Sequence, residues 1–343
     1  MKKYLNTLFV TTEGAYLSKE NETVVVKIEG RAKLRLPIHN IGAIVCFGQV
    51  SLSPHLMDFC TRNGVSIVFL SPWGRFMAKV VGQTRGNVLL RRQQYRRADD
   101  NDFRVEASRS FVAGKIANSR TVLMRALRNH RGKIDEDAIN RASQVLKHYL
   151  WALGNQRDLD GIRGIEGTAA GVYFEVFDKL IVAQKQDFYM RGRSRRPPRD
   201  NTNALLSFLY TLLRVDVQSA LEVVGLDPYV GFLHSERPGR PSLALDLMEE
   251  FRPILADRVA LSLINLQQVT RKHFKHTESG GVILNDEGRR KVIAAYQERK
   301  RDTIHHPFVD DTVEIGLLMH IQARLLARYI RGELDGYPPF VWR

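Results

Sequence analysis

Cysteine is almost missing from this 343-residue chain, Cys46 and Cys60 being the only two. That excludes a disulfide framework and leaves no thiolate pair spaced for a metal. Long apolar runs are missing as well. The longest, around Ile41–Phe47 and Val65–Leu70, are strand-sized and far short of the roughly 18 residues of a spanning helix. Acidic residues are in deficit, with 37 Asp+Glu against 52 Lys+Arg and a formal net charge of +15. The patterns GxxxxGK(S/T), GxSxG and HExxH do not occur, so a P-loop ATPase is excluded and no metal-free nucleophile is signposted.

What is present is an ordinary globular composition, 44% hydrophobic and 26% charged. It excludes disordered and collagen-like classes, and the length suggests two domains. A pI near 9.9 points to a polyanionic partner. Nucleic acid is preferred over an anionic membrane, and no membrane association is expected. Lys2 and Lys3 precede a short apolar stretch, Tyr4–Val10, but Thr11, Thr12 and Glu13 follow it at once. We read a first β-strand there, not an export signal, and expect a cytoplasmic protein.

The pattern predicts an α+β fold. Residues 1–85 form a small β-rich N-terminal domain, 86–101 a junction helix, and 102–343 a larger all-α domain. Thr23–Ile28, Ile38–Phe47 and Val65–Leu70 read as strands, punctuated by Glu13-Gly14, Glu29-Gly30, Asn63-Gly64 and Pro72-Trp73-Gly74. Ser53–Arg62 reads as a helix, with Ser53 as N-cap and Pro54 at the first position. Further helices are expected over Leu89–Arg97, Phe103–Ala126, Ile139–Leu153, Glu166–Leu180, Asn203–Leu213, Val215–Val224, Ser242–Leu266, Asp286–Arg301 and Asp311–Gly332.

Three pieces carry candidate chemistry. In Ser242–Pro253, Leu247, Phe251, Leu255, Val259 and Leu263 make an apolar stripe, and Asp246, Glu249 and Glu250 lie on the opposite side. Acids on a polar helix face are commonly just solvated, and Pro253 interrupts the helix. Upstream, Gly231-Phe-Leu-His234 precedes a loop that could fold the imidazole back on those carboxylates, a donor set suited to Mn²⁺ or Mg²⁺. In Gly164–Phe174, Glu166 shares a face with Ala170, Tyr173 and Phe177, where a carboxylate is expensive unless paired or metal-bound. A dipole-complementing Glu near a helix start is the plainer reading. His273, His276, His305 and His306 read as surface or loop residues.

The arginine cluster Arg191, Arg193, Arg195, Arg196 and Arg199 is stiffened by Pro197-Pro198 and suits phosphate, with Phe188 and Tyr189 placed to stack on a base. Arg91, Arg92, Arg96 and Arg97 with Tyr95 form a second basic stretch, and Arg237 and Arg240 a third. Solvated arginines holding acidic partners are the alternative, but the acids are too few to pair them all.

Taken together, Glu166-Gly-Thr-Ala-Ala-Gly-Val-Tyr-Phe, Asp200-Asn-Thr-Asn203-Ala-Leu-Leu-Ser207, Gly231-Phe-Leu-His234 and Ser242-Leu-Ala-Leu-Asp246-Leu-Met-Glu249-Glu-Phe-Arg-Pro253 resemble the CRISPR adaptation integrase, the Cas-one family. Ile38-His-Asn40, Gly86-Asn87-Val-Leu-Leu-Arg91 and Gly280–Arg289 extend the resemblance over essentially the whole chain. The resemblance implies a β-rich N-terminal domain for dimerisation and DNA backbone contacts, and a helical catalytic domain. It implies a homodimer that joins a small partner of the Cas-two family to insert captured double-stranded DNA into a CRISPR repeat. By the same resemblance Glu166, His234 and Glu249 bind the divalent metal, Asp246 is an auxiliary catalytic carboxylate, and Tyr173 and Asn203 support the site. The last ligand is often Asp in that family and is Glu here, and Pro often stands where this chain has Asn201. Two alternatives are weighed against an integrase: a non-catalytic nucleic-acid scaffold and a simple hydrolytic nuclease.

Overall fold

The computed structural model describes residues 6–72, 74–82 and 88–342. Lys2–Leu5, Trp73 and the Gly86-Asn87 pair lie outside the described residues. The first eighty residues make two four-stranded sheets. One has the order β1 (Thr7–Val10), β5 (Ala43–Phe47), β7 (Ser66–Leu70), β8 (Phe76–Val80), parallel except for β8. The other has the order β4 (Arg31–Pro37), β3 (Thr23–Ile28), β2 (Tyr16–Glu20), β6 (Ser51–Leu52). β3 is the β-branched run, with Val24, Val25 and Val26 all buried. Ile38–Phe47 is not one strand: Ile38–Asn40 is a turn of 3₁₀ helix, and only Ala43–Phe47 pairs. α1 (Pro54–Arg62) starts where expected, the Ser53 hydroxyl accepting the Leu56 N–H. Between these sheets lies a small core of Leu17, Ile44, Leu56 and Ile67. The other face of the first sheet, through Val45, Phe47, Val68 and Leu70, belongs to the main core.

The remainder is helical apart from two ribbons. Its helices are α2 (Val88–Asp99), α3 (Asn101–Asn129), α4 (Glu136–Gly154), α5 (Leu159–Phe177), α6 (Asn201–Val224), α7 (Ser242–Met248), α8 (Arg258–Asn265), α9 (Asp286–Arg301) and α10 (Ile315–Ile330). β9 (Phe274–His276) pairs with β10 (Val282–Leu284), and β11 (Thr303–His306) with β12 (Asp311–Glu314). The larger part is therefore not purely α. Asp311–Glu314, expected as helix, pairs with β11 instead, and the helix begins at Ile315.

Two helical boundaries differ instructively. Asn203–Leu213 and Val215–Val224 are one helix, because Arg214 is no breaker and Gly225, with φ of +96°, is the real stop. By length and composition α6 could cross a membrane, yet 67% of its apolar window is buried in this fold. Ser242–Leu266 is broken instead: α7 ends at Met248, Arg252–Asp257 is a π-helical stretch, and α8 follows. Pro253 sits at the start of the π segment, where its missing N–H does least harm.

The C-terminal tail packs beneath this break. Asn118 on α3 donates to the carbonyls of Glu250 and Phe340, and its own carbonyl accepts the Trp342 N–H. Glu250 is fully buried and meets the Tyr337 hydroxyl (2.6 Å), the Phe340 N–H (2.7 Å) and the Gln322 amide (3.0 Å). Burial pushes its carboxyl up to about 8 despite those hydrogen bonds. The folded state thus keeps a proton that the unfolded chain releases above about 4.5. Stability is expected to fall by up to about 1.4 kcal/mol per pH unit across that window and to level off above it. In Glu250→Gln the slope should flatten between pH 5 and 8, read from thermal midpoints. An unchanged slope would show that Glu250 is ionised in the fold.

Candidate metal centre and nucleic-acid groove

His234 is held by Asp246. The backbone N–H groups of Phe232 (2.6 Å) and Leu233 (3.0 Å) donate to Asp246 Oδ2. The N–H of His234 (2.9 Å) and its ring Nδ1 (2.7 Å) reach Oδ1. Both oxygens of this fully buried carboxylate accept hydrogen bonds from that segment, which fixes where the imidazole stands. The peptide can lie so close because residue 231 is glycine: a Cβ there would come within 2.8 Å of the Leu243 nitrogen and 2.7 Å of Asp246 Oδ2. Arg163 adds a second clasp, its Nε and Nη2 donating to the Leu233 carbonyl. In the neutral ring, Nδ1–H donated to Asp246 leaves the lone pair on Nε2. A carboxylate behind an imidazole is the usual support of a metal-binding histidine.

Glu166 and Glu249 meet at Lys115. The Lys115 ammonium pairs with Glu166 Oε1 and lies 2.7 Å from Glu249 Oε2. Arg252, one turn on from Glu249, reaches its Oε1 at 3.1 Å. Burial alone would raise the Glu249 carboxyl, but Arg252, Lys115 and His234 outweigh it and hold it down at about 2. Lys115 and Arg252 thus take one oxygen each of Glu249. Glu166 stands two turns inside α5, which starts at Leu159, so a dipole-complementing role at the helix end does not describe it.

The three acids read on one side of a helix are all buried, and they serve three different partners: Asp246 the His234 segment, Glu249 Lys115 and Arg252, Glu250 the tail. Behind them Asp257, pushed up by burial to about 6, accepts hydrogen bonds from Tyr173 (3.1 Å) and Tyr210 (2.6 Å). Arg193 and Arg252 lie over the Tyr210 ring. Among the described residues no three His, Cys, Asp or Glu side chains converge tightly enough to enclose an ion. The donor types, two carboxylates sharing one ammonium and an imidazole backed by a carboxylate, nevertheless suit a divalent cation.

His234 opens onto a groove of about 1080 Å³. Arg195, Arg196, Arg237 and Arg240 line it, as expected of phosphate-binding residues, and so do Arg75, Arg214 and Arg289, which the sequence reading did not single out. No carboxylate lines it among the described residues. Arg191 and Arg199 are exposed on the same loop. Arg193 is turned inward, donating to Asn203 Oδ1 at 2.6 Å, and Asn203 in turn donates to the Gly192 carbonyl and to Asp200. Asn203 therefore pins the arginine loop to the start of α6. Arg91 is half-buried, its Nε donating to the Gly225 carbonyl, whereas Arg92 is exposed. Phe188 is fully buried against Phe274 and cannot stack on a base, while Tyr189 is exposed. If the groove binds duplex DNA, Arg237→Ala with Arg240→Ala should reduce the slope of log K against log salt by up to about 1.8, two phosphate contacts' worth. An unchanged slope would place the phosphates elsewhere.

A small β-rich part, a helical part and an arginine-lined groove that His234 shares in lining are the frame of a nucleic-acid-binding protein. The chain belongs to the Cas1 family: residues 8–298 match the family model described as CRISPR associated protein Cas1. It is 54% identical over 343 residues to the CRISPR-associated endonuclease Cas1 1 of Chlorobaculum tepidum, covering 100% of both chains. Its fold is similar to that of a Cas1 protein from Thermotoga maritima, with a TM-score of 0.82, 25% identity, and coverage of 97% of this chain and 99% of that one. A casposase bound to its integration product has the same fold, with a TM-score of 0.84, 22% identity, and coverage of 98% and 94%.

Proposed function

We propose that this chain is a CRISPR adaptation integrase, joining the 3′-hydroxyl ends of captured DNA to a CRISPR repeat by transesterification and acting on DNA as an endonuclease. The observation that carries this reading is the arginine-lined groove, free of lining carboxylates among the described residues, that includes His234. Family membership and the naming of the Chlorobaculum relative as an endonuclease support it. Glu166, Glu249 and Nε2 of His234 would hold Mn²⁺ or Mg²⁺. When bound, such an ion lowers the pKa of an attacking hydroxyl and offsets charge on the phosphorane-like transition state. The chain's own residues do the rest. Asp246 and Arg163 fix the imidazole, Arg252 keeps Glu249 ionised, and Arg237 and Arg240 neutralise flanking phosphates. One phosphodiester is exchanged for another, so no nucleotide hydrolysis is required. A cytoplasmic homodimer working with a small Cas-two partner completes the proposal.

The test is a branched duplex carrying a flap that mimics a half-integrated product. An integrase runs this backwards, releasing the flap and resealing the duplex. Resealing that needs Mn²⁺ or Mg²⁺ and stops in EDTA supports the proposal. Cleavage without resealing would make the chain a hydrolytic nuclease. Tight binding without strand chemistry, even with the small partner added, would make it a scaffold.

A further inference from the structure

Lys115 has no role in the mechanism above, yet it occupies the centre of the site. It stands on the buried face of α3 beside Ile116 and is itself only 8% exposed. Its ammonium is the one group that touches both Glu166 and Glu249 among the described residues. Glu249 is buried and Glu166 half-buried, and two carboxylates brought together there repel unless a cation stands between them. Arg252 shares the neutralising of Glu249, at its other oxygen, but its ion pair does not extend to Glu166. The chemistry of lysine suits a temporary occupant: a compact charge on a flexible four-carbon stem, without the fixed fork of arginine.

We infer that Lys115 is an internal counter-ion that keeps Glu166 and Glu249 together in the ion-free protein and competes with the divalent cation for their oxygens. The inference rests on the divalent-ion reading given above. Its physical content is a linkage. Adding a doubly charged cation beside an ammonium leaves an excess of positive charge in a buried site, so the ammonium must leave as the ion enters. The ion's apparent affinity is therefore lowered by the free energy of the pair it breaks. In return the two glutamates are not driven apart when the site lacks its ion.

The test uses the full-length protein and Mn²⁺ alone, with no DNA, read by calorimetric titration and by thermal unfolding. Lys115→Met keeps the length of the side chain and removes the charge. It is expected to bind Mn²⁺ at least tenfold more tightly than wild type. Its midpoint should fall by several degrees in EDTA and recover in saturating Mn²⁺, so that its ion-induced rise exceeds that of wild type. Lys115→Arg keeps the charge and the fold but grips both carboxylates with a planar fork, and should bind Mn²⁺ at least tenfold more weakly. Equal or weaker Mn²⁺ binding by Lys115→Met overturns the inference, as does a midpoint deficit that is the same in EDTA and Mn²⁺. If Lys115→Met fails to fold, unchanged affinity in Lys115→Arg overturns it. Absence of Mn²⁺ binding in wild type and both variants removes the divalent-ion reading itself, an outcome distinct from a lysine without effect on a measurable affinity.

Discussion

His234→Ala should slow flap release and resealing by about 10³-fold or more, roughly 4 kcal/mol of lost transition-state stabilisation. Duplex affinity should stay within about twofold. The two expectations come from different parts of the structure. The imidazole is one side chain at the end of the groove, whereas the positive charge that binds phosphates is spread over Arg75, Arg195, Arg196, Arg214, Arg237, Arg240 and Arg289. Its backbone N–H would still donate to Asp246 Oδ1, so the variant keeps the clamp and loses only the ring. Single-turnover rates at saturating Mn²⁺, with affinities measured in parallel, separate these terms. A rate within tenfold of wild type would remove His234 from the reacting centre.

Asp246→Asn should be worse for the fold and comparable for the chemistry. Asn replaces one accepting oxygen with an NH₂ group. If that group faces Phe232 and Leu233, two backbone donors meet a donor. If it is flipped, it meets the His234 N–H and ring Nδ1. Either way two buried groups lose an acceptor, at about 1–3 kcal/mol each. The imidazole also loses the carboxylate that fixes its tautomer. We expect a thermal midpoint lower by several degrees and a strand-joining rate reduced at least about 100-fold, with added Mn²⁺ restoring only part of it. A variant with wild-type stability would mean that the 231–234 segment is held mainly by Arg163.

Where a local rule decides an element, the sequence was a sufficient guide. Ser53-Pro54 and Asn285-Asp286 start helices because a short polar side chain accepts the first free N–H, and both start as read. The resemblance pointed to Glu166, His234 and Glu249, and the structure brings Glu166 and Glu249 to one ammonium and His234 to the groove end. What stayed hidden depends on residues far apart in the chain. A single lysine between Gly114 and Ile116 says only that something must compensate it, and its partner Glu166 is 51 residues away. Asp311–Glu314 reads as a helix start until β11 is beside it. Arg193 is chemically the same as its neighbours in the arginine cluster, and only Asn203 and Tyr210 turn it inward. The acids of 246–250 look alike on a helical wheel, but the break after Met248 and the returning tail separate their fates.

α6 joins features that lie far apart. Asn203 at its start grips the arginine loop, and Ser207, Phe208, Thr211 and Arg214 in its middle line the groove. Ser219 and Glu222 near its end bind Ser66 and Lys79 of the strand-rich part. At about 1.5 Å per residue, these 24 residues make a rod of about 36 Å. The span from the arginine loop to the sheet edge is thus set by a covalent ruler rather than by a hinge. A polyanion lying along that helix would meet a gauge of fixed length.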